Sequence, residues 1–234
     1  MGVARRPRGS GLAGMTLLVP LYVHPAADPE AWRLVTGAGE QVYGVVLNPA
    51  DGPGPAPDPA FLSAARALRA AGTLVLGYVD LDYGMRPEAA VTGDLDRHRD
   101  WYGADGCFFD QVPADRSALP RCRRLVRAAR QRGAGTVVLN HGAHPAPGYA
   151  RIADLLVTFE GPWPVYLSSF TRPRWTARHP PERFCHLVYE VPTALAGVAA
   201  RAAGERGAAV SCAVAGSLPN PWDAPPPALY GEAP

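Results

Sequence analysis

Four apolar runs in the sequence end on a carboxylate: Asp80, Asp110, Glu160 and Glu190, with Asp82 close behind the first. Aromatic residues stand beside them, in Tyr78-Val-Asp80, Phe108-Phe109-Asp110-Gln111, Phe159-Glu160 and Tyr189-Glu190. Two carboxylates facing one cleft can act on a glycosidic bond as acid and base, or as acid and nucleophile. Aromatic rings, apolar on their faces, are suited to stacking on sugars. Asp110 and Glu160 form the best pair. If both end strands of one sheet, two strands apart, their backbones lie about 10 Å from each other at an interstrand spacing near 4.8 Å. Inward-leaning side chains would close that gap to the separation glycosidases use. Glu160, flanked by Phe159 and Trp163, is expected in an apolar setting that raises its pKa and suits it to proton donation. Asp110 is then the nucleophile or charge stabiliser, with the reverse assignment still open. Tyr22, Tyr78, Tyr83, Trp163 and Trp222 are the expected stacking platforms. Asn48, Asp80, Gln111 and His141 are the expected hydrogen-bonding partners of sugar hydroxyls or amines. Asp82 and Glu190 are expected to be structural, and Asp51 to serve its Pro/Gly turn.

Other chemistries are poorly supplied. All 23 basic residues are Arg, so a lysine Schiff base or a lysine anchor for pyridoxal phosphate is excluded. His141 and His144 lie on a Gly/Pro loop without the helix and Glu of a zinc protease, and His24 stands alone, so no metal is expected. No G-x-S-x-G elbow occurs. No cofactor is expected. Cys107, Cys122, Cys185 and Cys212 lack paired spacing and read as small buried hydrophobes, not disulfides. The formal net charge is only +2, which argues against a nucleic-acid partner. The run Arg121, Arg123, Arg124, Arg127, Arg130 and Arg132 has helical spacing around an apolar stripe of Cys122, Leu125, Val126 and Ala129, the pattern of a solvated helix face. No stretch of about 18 uninterrupted apolar residues is present, so no membrane span is expected.

Positioning carboxylates at strand ends requires strands. Eight candidates recur along the 234 residues: 16–23, 42–48, 73–80, 106–112, 136–140, 155–160, 184–190 and 209–215. Their near-continuous hydrophobicity is what a parallel sheet covered on both faces needs. Helical patterns fall between them at 29–36, 59–71, 89–102, 117–132 and 193–206, with Pro59 opening and Gly72 closing the clearest one. The connections after the fifth and sixth strands look less helical. Together these predict a single α/β domain, a (β/α)8 TIM-like barrel over residues 15–218, with an open doubly wound sheet as the alternative. Residues 1–14 read as a disordered extension and 219–234 as a Pro-rich tail that packs on the barrel or frays. The arginines and apolar stretch near the start superficially resemble a signal peptide, but no A-x-A site follows, so cytoplasmic location is the default expectation. A monomer is expected. Active sites of such barrels lie at the C-terminal strand ends, where the carboxylates are.

The order LLVPLYV, VVLNPADGPG, LGYVDLDYGMR, WYGADGCFFDQV, VVLNHG, DLLVTFEG, with HLVYE and NPWDAPP later, resembles the spherulin-4 family across about residues 16–226. The resemblance implies a TIM-like barrel related to glycoside hydrolases acting on α-1,4-linked galactosamine polymers. It places Asp110, the residue after it and Glu160 at the family's acidic cluster. Hydrolase-like members carry Glu at the second of these positions. Here Gln111 stands there, and an amide cannot transfer a proton at neutral pH. Strand alternation sends Asp110 and Gln111 to opposite faces, so only one of them is expected at the mouth. An acidic rim on a slightly basic body would attract a cationic polysaccharide, such as a deacetylated galactosamine chain. The alternative, motivated by Gln111, is a carbohydrate-binding barrel that has lost catalysis.

Overall fold

A computed structural model describes residues 15–230. The expected residues 1–14 extension lies outside the described residues, as do 231–234. Eight parallel strands close into a barrel in sequence order: β1 Thr16–Pro20, β2 Val42–Leu47, β3 Leu74–Asp80, β4 Gly106–Asp110, β5 Thr136–Asn140, β6 Leu155–Pro162, β7 Phe184–Tyr189 and β8 Val210–Ala213. The closed ring replaces the open-sheet alternative. Six α-helices follow among the described residues: α1 Pro29–Gly37, α2 Pro59–Ala70, α3 Glu88–Tyr102, α4 Leu119–Gln131, α5 Trp163–Ser169 and α6 Ala196–Glu205. Asp58 caps α2 by accepting from the Ala60 and Phe61 N–H groups, with Pro59 at the first helical position. After β5 only a 3-10 turn, Pro147–Arg151, crosses back. After β6 the short α5 forms where the sequence pattern predicts no helix.

Strand alternation divides the apolar residues into two layers. Leu18, Val46, Leu76, Phe108, Val138, Val157, Leu187 and Val210 fill the barrel interior. Their alternate neighbours, such as Val45, Val79, Phe109 and Leu139, pack outward against the helices. All four cysteines are buried and free. At Gly77 a Cβ would come within 2.4 Å of the His98 ring, so the glycine lets α3 seat directly on β3. His98 Nε2 donates to the Tyr78 carbonyl at 2.7 Å and ties that contact to the mouth end of the strand.

The segment after β8 folds back across the mouth. Tyr22 donates its backbone N–H to the Trp222 carbonyl at 2.7 Å, and the Asn220 amide donates to the Tyr22 carbonyl at 3.1 Å. Trp222 is buried, and its ring meets Tyr189 edge-on at 6.3 Å.

Candidate active site

A cavity of about 720 Å³ opens at the C-terminal ends of the strands. Tyr22, Asn48, Tyr78, Tyr83, Asp110, Gln111, His141, Glu160 and Trp222, all expected from sequence, line it. Asp80 and Trp163, also expected, are not among its lining residues.

Asp110 ends β4 in register with Asp80 on β3, and the Tyr78 hydroxyl donates to its Oδ2 at 2.8 Å. Glu160 reaches the same space by a local irregularity. Pairing of β6 with β7 passes from Val157↔Cys185 directly to Phe159↔His186, leaving Thr158 as an extra residue. Val157 fills the barrel interior, so regular alternation would have sent Phe159 inward and Glu160 out. The bulge reverses this, as bulges beside active sites commonly re-aim a side chain. Phe159 therefore packs in the outer layer, 4.6 Å from the Tyr166 ring, while Glu160 enters the mouth.

Asn140, at the end of β5 and missed as a site residue by the sequence reading, joins the two acids. Its Nδ2 donates to Asp110 Oδ1 at 2.6 Å and to Glu160 Oε2 at 2.5 Å. Two oxygens bound to one nitrogen at those lengths are at most about 5 Å apart. Burial, then the neighbouring Asp110 charge, push Glu160 up to about 7. Burial also raises Asp110, against hydrogen bonds from Tyr78, the Gln111 backbone and Asn140. Acceptor-only bonding suits an ionised carboxylate. Asp110 accepts on both oxygens from Asn140 and Tyr78, and Glu160 accepts from Asn140 and the Trp222 indole; with its pKa raised to about 7, Glu160 is the one able to carry a proton near neutral pH.

Three expectations are corrected here. Trp163 opens α5 and packs outward on Tyr166, Val188, Val191 and Ala213, because β6 runs straight into the helix and turns the indole into the helix–sheet interface. It is neither a sugar platform nor the source of Glu160's raised pKa. Asp80 sits beside Asp110, but its Oδ1 accepts the Asp82 N–H at 2.7 Å and serves the turn. Gln111 and Asp110 both line the mouth. Gln111 lies beyond the strand at φ +50°, so alternation no longer governs it. A Trp163→Ala variant is accordingly expected to lose about 3 kcal/mol of stability while its affinity for a ligand of the mouth stays within about twofold. Calorimetric unfolding and ligand titration check this, and a large loss of affinity at unchanged stability would return Trp163 to the site.

Other details refine the wall. Asn48 accepts the Gly52 N–H on Oδ1 at 2.8 Å, leaving its NH2 group for a ligand. His141 faces the Val112 carbonyl through Nδ1 at 3.1 Å, and burial lowers its pKa to about 4, so the ring is neutral. Asp51, discounted as a turn residue, lies at φ +50° and also lines the cavity. Among the described residues, the positive-φ residues other than glycine are Asp51, Asp82, Tyr83, Gln111 and Glu190, all in turns or loops that follow strand ends at this face, and such strain concentrates at functional sites. Tyr83 is 69% exposed, a free aromatic face at the lip. Among the described residues no Arg lines the cavity, which carries Asp51, Asp110 and Glu160. Among the described residues no three His, Cys, Asp or Glu side chains group as metal ligands.

Comparison with known proteins adds to this geometry. Residues 16–213 match the family described as spherulation-specific family 4. The chain is 34% identical to Spherulin-4 of Physarum polycephalum over 149 residues, a stretch covering 62% of this chain and 44% of that protein. The chain therefore spans less than half of that relative. Among solved structures, Aspergillus clavatus Sph3 in complex with GalNAc superposes with a TM-score of 0.77 at 25% identity, covering 91% of this chain and 93% of that one. A chitinase from Rhizomucor miehei shares the fold, with a TM-score of 0.52 at 11% identity over 89% and 98% of the two chains.

Proposed function

Because the chain belongs to spherulation-specific family 4, the spherulin-4 family, we propose that it is a glycoside hydrolase cutting within an α-1,4-linked galactosamine-type polysaccharide. The observation that carries this reading is the carboxylate pair held by Asn140 at the aromatic mouth of the barrel. Sph3, 25% identical over nearly the whole chain, was solved with GalNAc, which supports an amino sugar as the ligand class.

Glu160, with a pKa raised to about 7, is protonated below neutral pH and serves as the general acid toward the leaving oxygen. Asp110 acts as the ionised nucleophile. A separation of at most about 5 Å between the nearest carboxylate oxygens is the close spacing of retaining enzymes, not the 6.5–9.5 Å that leaves room for a water. Glu160 would then return as general base for the incoming water. Gln111 takes no proton and is left to hydrogen-bond the substrate. The aromatic faces of Tyr22, Tyr83 and Trp222 are the proposed sugar platforms.

The acidic lining without a facing Arg favours polymer carrying free amines over fully acetylated polymer. That preference should be marked at low salt and fade as screening shortens the reach of the charges. Purified protein incubated with galactosamine polymers of graded acetylation is expected to release new reducing ends, fastest from the deacetylated chains at low salt. Equal rates at all degrees of acetylation would remove the charge argument. A second reading, a binding barrel without catalysis, draws on Gln111, and polymer binding without new reducing ends would establish it.

A further inference from the structure

The hydrolase reading leaves open what holds the two acids at their spacing. We infer that Asn140 is the positioning residue of this site: one amide nitrogen clamps Asp110 and Glu160 at a fixed gap and donates to the ionised form of each. The inference rests on the proposed hydrolase function.

The amide has no freedom to do otherwise. Asn140 is 4% exposed, and its Oδ1 accepts the Gly142 backbone N–H at 3.0 Å. A flipped amide would lose that bond and turn a carbonyl oxygen toward two carboxylates. Both N–H groups therefore point at the acids. Asp110 Oδ1 and Glu160 Oε2 are taken by these donors, and Asp110 Oδ2 is taken by the Tyr78 hydroxyl.

Tyr78 and Asp80 from β3 act on Asp110, and Asp110 acts on Glu160. Tyr22 beyond β1 and Cys185 and Tyr189 from β7 feel the charge of the pair, and Asp51 and the neutral His141 share the cavity. All of them are neutral or acidic, and no cation is among them. Hydrogen bonds favour the ionised form of both acids: from the Tyr78 hydroxyl, then the Gln111 N–H and Asn140, at Asp110, and from Asn140, then the Trp222 indole, at Glu160.

Activity needs Asp110 ionised and Glu160 protonated, so it falls off below the first pKa and above the second. Removing Asn140's donors raises both. Asn140→Ala is expected to lose about 100-fold in kcat, the scale of a slight misplacement of catalytic groups, and to move both limbs of the pH–rate profile to higher pH. Asn140→Asp keeps an acceptor for the Gly142 N–H but, when ionised, has nothing to donate. It should show a comparable loss and the same upward shift, with thermal unfolding confirming that the fold is retained. If Asn140→Asp kept the wild-type rate and profile, Asn140 would be only a turn anchor and the inference would fall. Carboxyl 13C NMR of labelled Glu160 reads the same quantity without turnover, in wild type and Asn140→Ala. Its titration should move up in the variant, and an unmoved titration overturns the inference. Wild-type protein that yields no reducing ends from polymer would instead overturn the hydrolase reading, leaving the titration result to decide the role of Asn140.

Discussion

Asp110→Asn is expected to lower kcat by at least about 10³-fold while the barrel stays folded. The side chain is isosteric, so packing against Phe108 and Tyr78 is preserved. The chemistry is not. In the wild type both carboxylate oxygens accept, one from Asn140 Nδ2 and one from the Tyr78 hydroxyl. An amide offers one acceptor and one NH2 group, so it can keep both partners only if the Tyr78 hydroxyl turns from donating to accepting. The variant also has no negative charge with which to attack or stabilise the anomeric carbon, the step on which a retaining glycosidase depends. Reducing-end release from galactosamine polymer, alongside circular dichroism and thermal unfolding, checks both halves. Wild-type turnover by Asp110→Asn would take Asp110 out of the reaction.

Glu160→Gln should cost a similar factor in turnover, within the 10²–10⁴-fold range of general acid–base catalysis, and it should also stabilise the protein in a pH-dependent way. The sign follows from linkage. Glu160 in the folded protein is raised to about 7 from the ordinary 4.5, so between those values the native state binds more protons than the unfolded chain. Stability therefore falls as pH rises through this window, by up to about 3 kcal/mol for one such group. Glu160→Gln cannot ionise and escapes the loss. Its melting temperature should match wild type near pH 4 and exceed it at pH 8. Curves that run parallel across pH would mean that Glu160 titrates normally and is unsuited to donate a proton near neutrality. A residue whose removal stabilises the fold and abolishes turnover is one kept for chemistry.

Much of this was legible because strand ends are legible. Short β-branched and aromatic runs bounded by Gly, Pro or Asp mark eight strands, and in a parallel barrel the residues that finish them share one rim. That is how Asp110, Glu160, Tyr22 and Tyr78 are found without coordinates. What escaped depends on departures from regularity. Glu160 points inward only because of the extra residue Thr158, and nothing in LLVTFEG marks a bulge. The same bulge sends Phe159 away, so the apolar neighbours read off the chain are not the ones Glu160 meets. Gln111 enters the mouth through a positive φ that is rare for a residue with a side chain. Asn140 reads only as the end of the fifth strand, because a residue that donates to two acids 20 and 30 positions away leaves no local signature.

The seam of the barrel sets an order of assembly. β1 and β8 pair only at Thr16↔Val210 and Leu17↔Ser211. Toward the mouth the ring is completed by the later segment, through Tyr22 to Trp222 and Asn220 to Tyr22. On a ribosome, a nascent chain ending near residue 213 would hold all eight strands yet lack the wall that Trp222 supplies beside Glu160. Such an intermediate has its scaffold before its cleft. The complete cleft should therefore form only after all eight strands are made, when the stretch around Trp222 clears the exit tunnel and returns to β1.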